Sequence, residues 1–485
     1  MIVDEAVFAF NAQIFSEEEQ MGSRYKTLLK DTLIFGLGNM GTKLILFVMV
    51  RLYTSYMSDA EYGIADLVFT IAQLMAPFLS VVIFDAIIRF GLSEKERKED
   101  IILVGVIVWV GAAVLGLALT PLVGLYKAMA EWKWYLYVYV ISNIADSIGY
   151  CYLKAKGKNK IYALLSVIQT ALMASLNVYF LVYRSMGIRG YLLAYILSEI
   201  VIDICLIITG DIIKDLKKAR FDRNLFKRMV LFSSPLILNN VSWWVIQSSD
   251  KVMVEAMISA AALGIYTAAA KIPALINVMV TIFQQAWGIS AVKEFESSND
   301  RSYYSTVLRY LFLFISGACV FFVAIMKVFM THYVGKDFID AWHYVPLLLV
   351  SAVFAGVAGY FGSMYSALKK SVNNMLSTAT AAVVNIVFNF LLIPSMGIWG
   401  AVIGTLIAYI TIAFFRLFDV KRFVAIDIKW QTFLSTILIL VLQAAAVSLD
   451  YHIYACSAVA VVLFLVINFK DILFLTRQIM ARLAR

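Results

Sequence analysis

Residues 185–190 read Ser-Met-Gly-Ile-Arg-Gly, and residues 395–400 read Ser-Met-Gly-Ile-Trp-Gly. Each copy is a short turn between two apolar runs, about 161–183 and 188–210 in the first case and 373–393 and 398–419 in the second. All four runs are long enough to cross a bilayer. That takes about 20 apolar residues, because the hydrocarbon core is about 30 Å thick and a helix rises about 1.5 Å per residue. Other matches keep the same order around the turns. Leu176-Asn177 and Phe388-Asn389 close the preceding runs at an offset of 212 against 210 for the turns, so the second copy lacks two residues there. Tyr62-Gly63-Ile64 and Leu263-Gly264-Ile265 match at an offset of 201, as do Asn39 and Asn240.

Outward from these copies, further runs lie at about 29–51, 63–92, 101–126 and 134–153, then at 228–255, 262–291, 304–330 and 341–367, and finally at 431–449 and 453–470. The spacing predicts an all-α integral membrane protein of about fourteen transmembrane helices. Six helices separate the matched positions, so both copies have the same orientation. That is a parallel repeat, with a pseudo-twofold axis along the membrane normal and a central cavity between two six-helix lobes. The expected organisation is a tail over 1–23, disordered or preceding a start at Met21, an N-lobe over 24–215, a C-lobe over 216–425, and two extra helices over 426–485. An intact-mass measurement separates the two readings of the tail.

Composition agrees. Of 485 residues, 62% are hydrophobic and 15% charged, with mean hydropathy +0.84, whereas soluble domains run near half apolar and a quarter charged. The net charge of +9 does not imply nucleic acid, because the cations gather in alternate loops. With the N-terminus inside, thirty of the 41 Lys and Arg fall in inside loops, among them Lys154, Lys156, Lys158 and Lys160, the cluster from Lys214 to Arg228, and Arg416, Lys421, Arg422 and Lys429. Seven fall outside. This bias predicts cytoplasmic termini in a cytoplasmic-membrane protein. Three histidines and short outer loops argue against an enzyme, and the four cysteines share no metal-ligand spacing.

The stretch Arg51-Leu-Tyr-Thr-Ser-Tyr-Met-Ser-Asp-Ala-Glu-Tyr-Gly-Ile-Ala-Asp-Leu67 resembles the first helical hairpin of the polysaccharide transporter family. Asp250-Lys251 followed by Leu263-Gly-Ile-Tyr-Thr-Ala-Ala-Ala-Lys-Ile272, Ile87-Ile-Arg-Phe90 and the repeated Ser-Met-Gly-Ile are similar to that family as well. It belongs to the multidrug/oligosaccharidyl-lipid/polysaccharide exporter superfamily. The resemblance implies a MATE-like flippase that carries a polyprenyl-pyrophosphate-linked oligosaccharide across the membrane by alternating access, alongside membrane lipids and other polysaccharide-assembly proteins. Drug exporters of the superfamily usually stop at twelve helices. A cation-coupled drug exporter and, further off, a polysaccharide polymerase are the alternatives.

Charges within spans are costly, so each implies a partner or a wet cavity. Lys43 and Lys271 sit at similar depth in opposite lobes and suit a pyrophosphate; the competing reading is an ion pair with Asp66, Asp85 or Asp146. Arg89, near the inner end of its helix, suits either headgroup anchoring or substrate entry. Lys251 and Asp250 read as an interfacial pair. Asn39, Asn240, Trp243, Trp244, Gln247, Gln284 and Gln285 suit a sugar-binding wall or interhelical hydrogen bonding. Asp146, Glu199 and Asp203 are candidates for coupling to H⁺ or Na⁺. No cofactor is expected.

Overall fold

The computed structural model describes residues 42–43, 45–93, 96–297 and 301–474. Its main helices are α1 (Ile45–Tyr56), α2 (Asp59–Ser80), α3 (Ile83–Gly91), α4 (Lys98–Val123), α5 (Lys133–Ala155), α6 (Asn159–Tyr183), α7 (Gly187–Thr209) and α8 (Ile212–Leu216). There follow α9 (Arg223–Met257), α10 (Ala260–Ser297), α11 (Arg301–Tyr333), α12 (Val345–Ala367), α13 (Ser371–Met396), α14 (Ile398–Val420), α15 (Trp430–Ser448) and α16 (Ile453–Ile467). Eleven are individually long and apolar enough to cross a membrane. With α1, α5 and α16 they account for the fourteen expected spans, and the chain is a multi-pass membrane protein. The basic loop between the halves carries the short α8.

One expected span is not a single rod. The run 63–92 breaks into α2 and α3 at Val81 and Val82, which both take left-handed φ, 51° and 54°. Pro77 lies four residues before the break and lacks the N–H that a continuous helix uses. The Ser80 hydroxyl takes up the slack, donating to the Ala76 carbonyl and accepting from the Val82 N–H. Two branched residues in this conformation cost about 1–2 kcal/mol each.

The repeat is present in the backbone. Gly187 and Gly397 of the two Ser-Met-Gly-Ile turns share a positive φ, 54° and 59°. A β-carbon on Gly190 would press on Phe180 and one on Gly400 on Leu392, partners related by the offset of 212 that holds before the turn. The first copy carries its two extra residues in a π-helical turn, Val178–Tyr183, whose wider winding absorbs added residues without ending the helix.

The lobes meet chiefly where α2 packs on α10 and α9, and where α3 packs on α9. Ser58 and Glu61 start α2 with a reciprocal capping box. Here the two matched glycines face each other. A β-carbon on Gly63 would strike the Ala260 carbonyl, and one on Gly264 would strike that of Asp59. Residues 59 and 260 are themselves related by the offset of 201, so the contact is its own pseudo-twofold image. At the same end, expected to face outward, the Gly335 N–H donates to Thr54 at 2.9 Å and the Tyr333 hydroxyl to the Phe47 carbonyl at 2.6 Å. The opposite end closes more loosely, through Phe90 on Phe232 and an exposed Arg228–Glu96 pair at 2.7 Å; exposed pairs contribute about 0–1 kcal/mol. Outside the lobes, α15 and α16 pack on each other and on α11.

Gly63→Ala and Gly264→Ala should each weaken the closure at the glycine end by about 1–3 kcal/mol through overpacking. In a cysteine-free background carrying Met57→Cys, which is buried beside the contact, maleimide labelling should rise several-fold. Unchanged labelling would show that this contact is not the seal.

Candidate functional site: two cavities at the lobe junction

A cavity of about 710 Å³ opens among α9, α10, α12 and α14, with Gln73 of α2 and Asn374 of α13 completing its wall. The space exists because α12 turns small residues toward it, among them Ser351, Ala355, Gly359, Gly362 and Ser363. A smaller cavity of about 220 Å³ lies where α1, α2 and α7 face α10, and Lys43 and Lys271 both line it. Lys271 also borders the larger one.

Between the two cavities the charges are knotted. The Asp66 carboxylate of α2 receives the Lys251 ammonium at 2.7 Å, the Lys271 ammonium at 3.4 Å and the Thr267 hydroxyl at 3.1 Å. Three of these groups come from one lobe and the carboxylate from the other. The expected interfacial Asp250–Lys251 pair is therefore not what forms. Asp250 instead accepts hydrogen bonds from the Tyr266 and Thr405 hydroxyls, which frees the neighbouring ammonium to cross to α2. Adjacent residues on a helix point about 100° apart, so they seldom share a partner. Lys271, also near the Tyr62 ring at 6.0 Å, shares a carboxylate with a second lysine, so two ammonium charges stand over one anion.

Trp243, Gln247 and Gln284 line the larger cavity. Trp244 turns away and donates its indole N–H to the Thr70 carbonyl at 2.8 Å, joining α9 to α2. Asn240 bonds back to the Leu236 carbonyl of its own helix and is not on either cavity wall. Arg89 is exposed on α3, as snorkelling requires, and borders neither cavity. Asn39 and the side chain of Gln285 lie outside the described residues.

One cation of the cavity wall escaped the sequence reading. Arg416, expected in an inside loop, lies within α14, is 1% exposed and lines the large cavity. Its guanidinium donates to the Ala358 carbonyl, Ser377 and Thr378 at 2.8–3.0 Å and stands 5.8 Å from the Trp243 ring. Helix-end cations usually reach for headgroups, so its position four residues from the end of α14 masked it. The available signal was its place in the same apolar run as Thr405.

In the N-lobe, Asp146 of α5 and Asp203 of α7 are within hydrogen-bonding reach of each other. Gln169 donates to Asp146, and Asn143 donates to Glu199 at 3.2 Å. The second oxygens of Asp146 and Glu199 are buried without a partner among the described residues. The sequence-expected acids thus form one cluster, at a distance from the lysines and on different helices. No group of His, Cys, Asp and Glu among the described residues is arranged to hold a metal ion.

This architecture defines a class: two-lobed, multi-helix membrane proteins with a cavity at the junction of the repeats. Residues 28–288, more than half of the chain, match the family described as "Polysaccharide biosynthesis protein", and the chain belongs to that family. No curated protein matches it in sequence. Among solved structures it is similar to the lipid II flippase MurJ in an inward closed conformation, with 15% identity, 91% of this chain and 100% of that one covered, and a TM-score of 0.70. It is also similar to an inward-facing multidrug resistance MATE family transporter of the MOP superfamily, at 16% identity, 80% and 95% coverage and a TM-score of 0.62. An outward-facing member of that group gives 17%, 81% and 95%, and 0.56. These likenesses establish the fold.

Asp66→Asn should leave both ammonium groups without a counter-charge and cost roughly 3 kcal/mol, in the range seen when one partner of a buried pair is removed. Thermal unfolding in detergent measures this, and adding Lys251→Met should restore much of the loss. An unshifted transition would mean that the three-way pairing contributes nothing.

Proposed function

We propose that this protein is a non-enzymatic flippase that carries a polyprenyl-pyrophosphate-linked oligosaccharide across the cytoplasmic membrane for cell-surface polysaccharide synthesis. The observation that carries the reading is that Lys43 of one lobe and Lys271 of the other line a single cavity. A pyrophosphate bears about two negative charges and needs paired cations, while the polyprenyl chain stays in lipid. The adjoining 710 Å³ cavity, with Trp243, Gln247 and Gln284 on its wall, has stacking and amide groups suited to sugars. Membership of the polysaccharide biosynthesis family supports the same cargo, and the likeness to a lipid II flippase supports a lipid-linked one.

Both termini are assigned to the cytoplasm, so the glycine-sealed end faces outward and the loosely closed end inward. Cargo then enters from the cytoplasmic side when the α3–α9 contact parts. Binding of an anion between Lys43 and Lys271 competes for the lysine that Asp66 holds across the lobes, which couples occupancy to lobe separation. The Asp146–Glu199–Asp203 cluster is assigned to ion coupling. Either H⁺ or Na⁺ held between these carboxyls would relieve their mutual repulsion. A drug exporter of the same fold is the second reading, but a cavity carrying Lys251, Lys271 and Arg416 repels cationic drugs.

In vesicles containing the purified protein, Lys43→Ala with Lys271→Ala should slow translocation of a fluorescent polyprenyl-pyrophosphate oligosaccharide at least tenfold. The corresponding Lys→Arg pair should retain most of the rate. A well-folded double alanine variant with wild-type transport would end this reading.

A further inference from the structure

The large cavity has a second cationic pole that the pyrophosphate reading leaves unused. Tyr266 and Thr405 hold the same Asp250 carboxylate, so α10 and α14 are in register at that level, where Thr267, Lys271 and Asp66 also meet. Arg416 is eleven residues further along α14, about 16 Å of helix rise. Its head is held there by Ser377, Thr378 and Ala358. One pyrophosphate does not span that distance.

The arginine is also incompletely matched. A guanidinium has five N–H donors, and three are taken, all by neutral oxygens. Among the described residues no carboxylate pairs with it, although it is 1% exposed and lines the cavity. Gly362 makes the room: a β-carbon there would come within 2.6 Å of the Arg416 Nη1. The Oδ1 of Asn374, on the same wall, is likewise without a hydrogen-bond partner among the described residues. A buried, pre-anchored guanidinium with two donors unpaired among the described residues is suited to bidentate capture of a planar anion.

We infer that Arg416 is a specificity-determining residue for an acidic glycan: it binds a carboxylate carried on a sugar of the cargo while the pyrophosphate occupies the lysine pole. This rests on the proposed flippase function and deepens it by naming the chemical class of the oligosaccharide. Trp243, 5.8 Å from the guanidinium, offers the adjacent ring face for the sugar that bears the charge. The shared chemistry with phosphate is an anion facing a guanidinium, and the depth of the site separates the two sources.

The test uses the full-length protein in nanodiscs and three probes: a glucuronate-containing tetrasaccharide, its carboxyl-reduced neutral counterpart, and inorganic pyrophosphate. The wild type should bind the acidic tetrasaccharide at least tenfold more tightly than the neutral one. Arg416→Gln should reduce that preference to within twofold and leave pyrophosphate binding unchanged; Arg416→Lys should keep part of the preference. Gly362→Ala, which retains the charge but displaces the guanidinium, should also lower the preference, and serves if the glutamine variant folds poorly. A preference that survives Arg416→Gln, a wild type without preference, or a loss confined to pyrophosphate would each overturn the assignment. Failure of the flippase reading looks different: pyrophosphate binding would then be indifferent to Lys43→Ala and Lys271→Ala.

Discussion

Asp66 holds the two halves of this molecule to one another at the level of the cavity. Its carboxylate on α2 is the shared counter-charge for Lys251 and Lys271 of the other lobe. Away from water such charges persist only when paired and hydrogen-bonded. Two ammonium groups share this one carboxylate, so the join between the lobes depends on a single side chain. The same arrangement stabilises the contact between the lobes and concentrates it at one point.

Around that point the two ends are closed by different means. At one, backbone approaches backbone through Gly63 and Gly264, and hydrogen bonds from Gly335 and Tyr333 reach α1 beside them. At the other, rings and a solvent-exposed ion pair make the closure, which costs less to undo. The two closures therefore differ in what it takes to part them. The break at Val81 and Val82 sits on the helix that makes both contacts, α2 at the glycine end and α3 at the loose end.

The halves share a fold but not a chemistry. The acids Asp146, Glu199 and Asp203 cluster in the first, whereas the larger cavity with Lys251, Lys271 and Arg416 belongs mainly to the second. Repetition supplied the scaffold, and the two copies place different charges within it. The π-turn at Val178–Tyr183 shows the backbone accommodating such divergence without loss of the repeat.

Helix number, membrane location and repetition were legible in the residues themselves, because a bilayer demands runs of fixed length and a turn of special backbone shape demands its glycine. The likeness of Gly63 to Gly264 was legible too, but that they touch was not. Periodicity places Lys43, Lys271, Gln247 and Gln284 in spans; it does not say which of them share a cavity, that Asn240 bonds its own helix, or that Trp244 ties the lobes together. Lys251 was read as its neighbour's partner and Arg416 as a loop cation, since sequence spacing reports proximity along a helix and not across one. Those pairings were settled by tertiary packing, because a buried charge takes whichever counter-charge or neutral oxygen the neighbouring helices bring within reach.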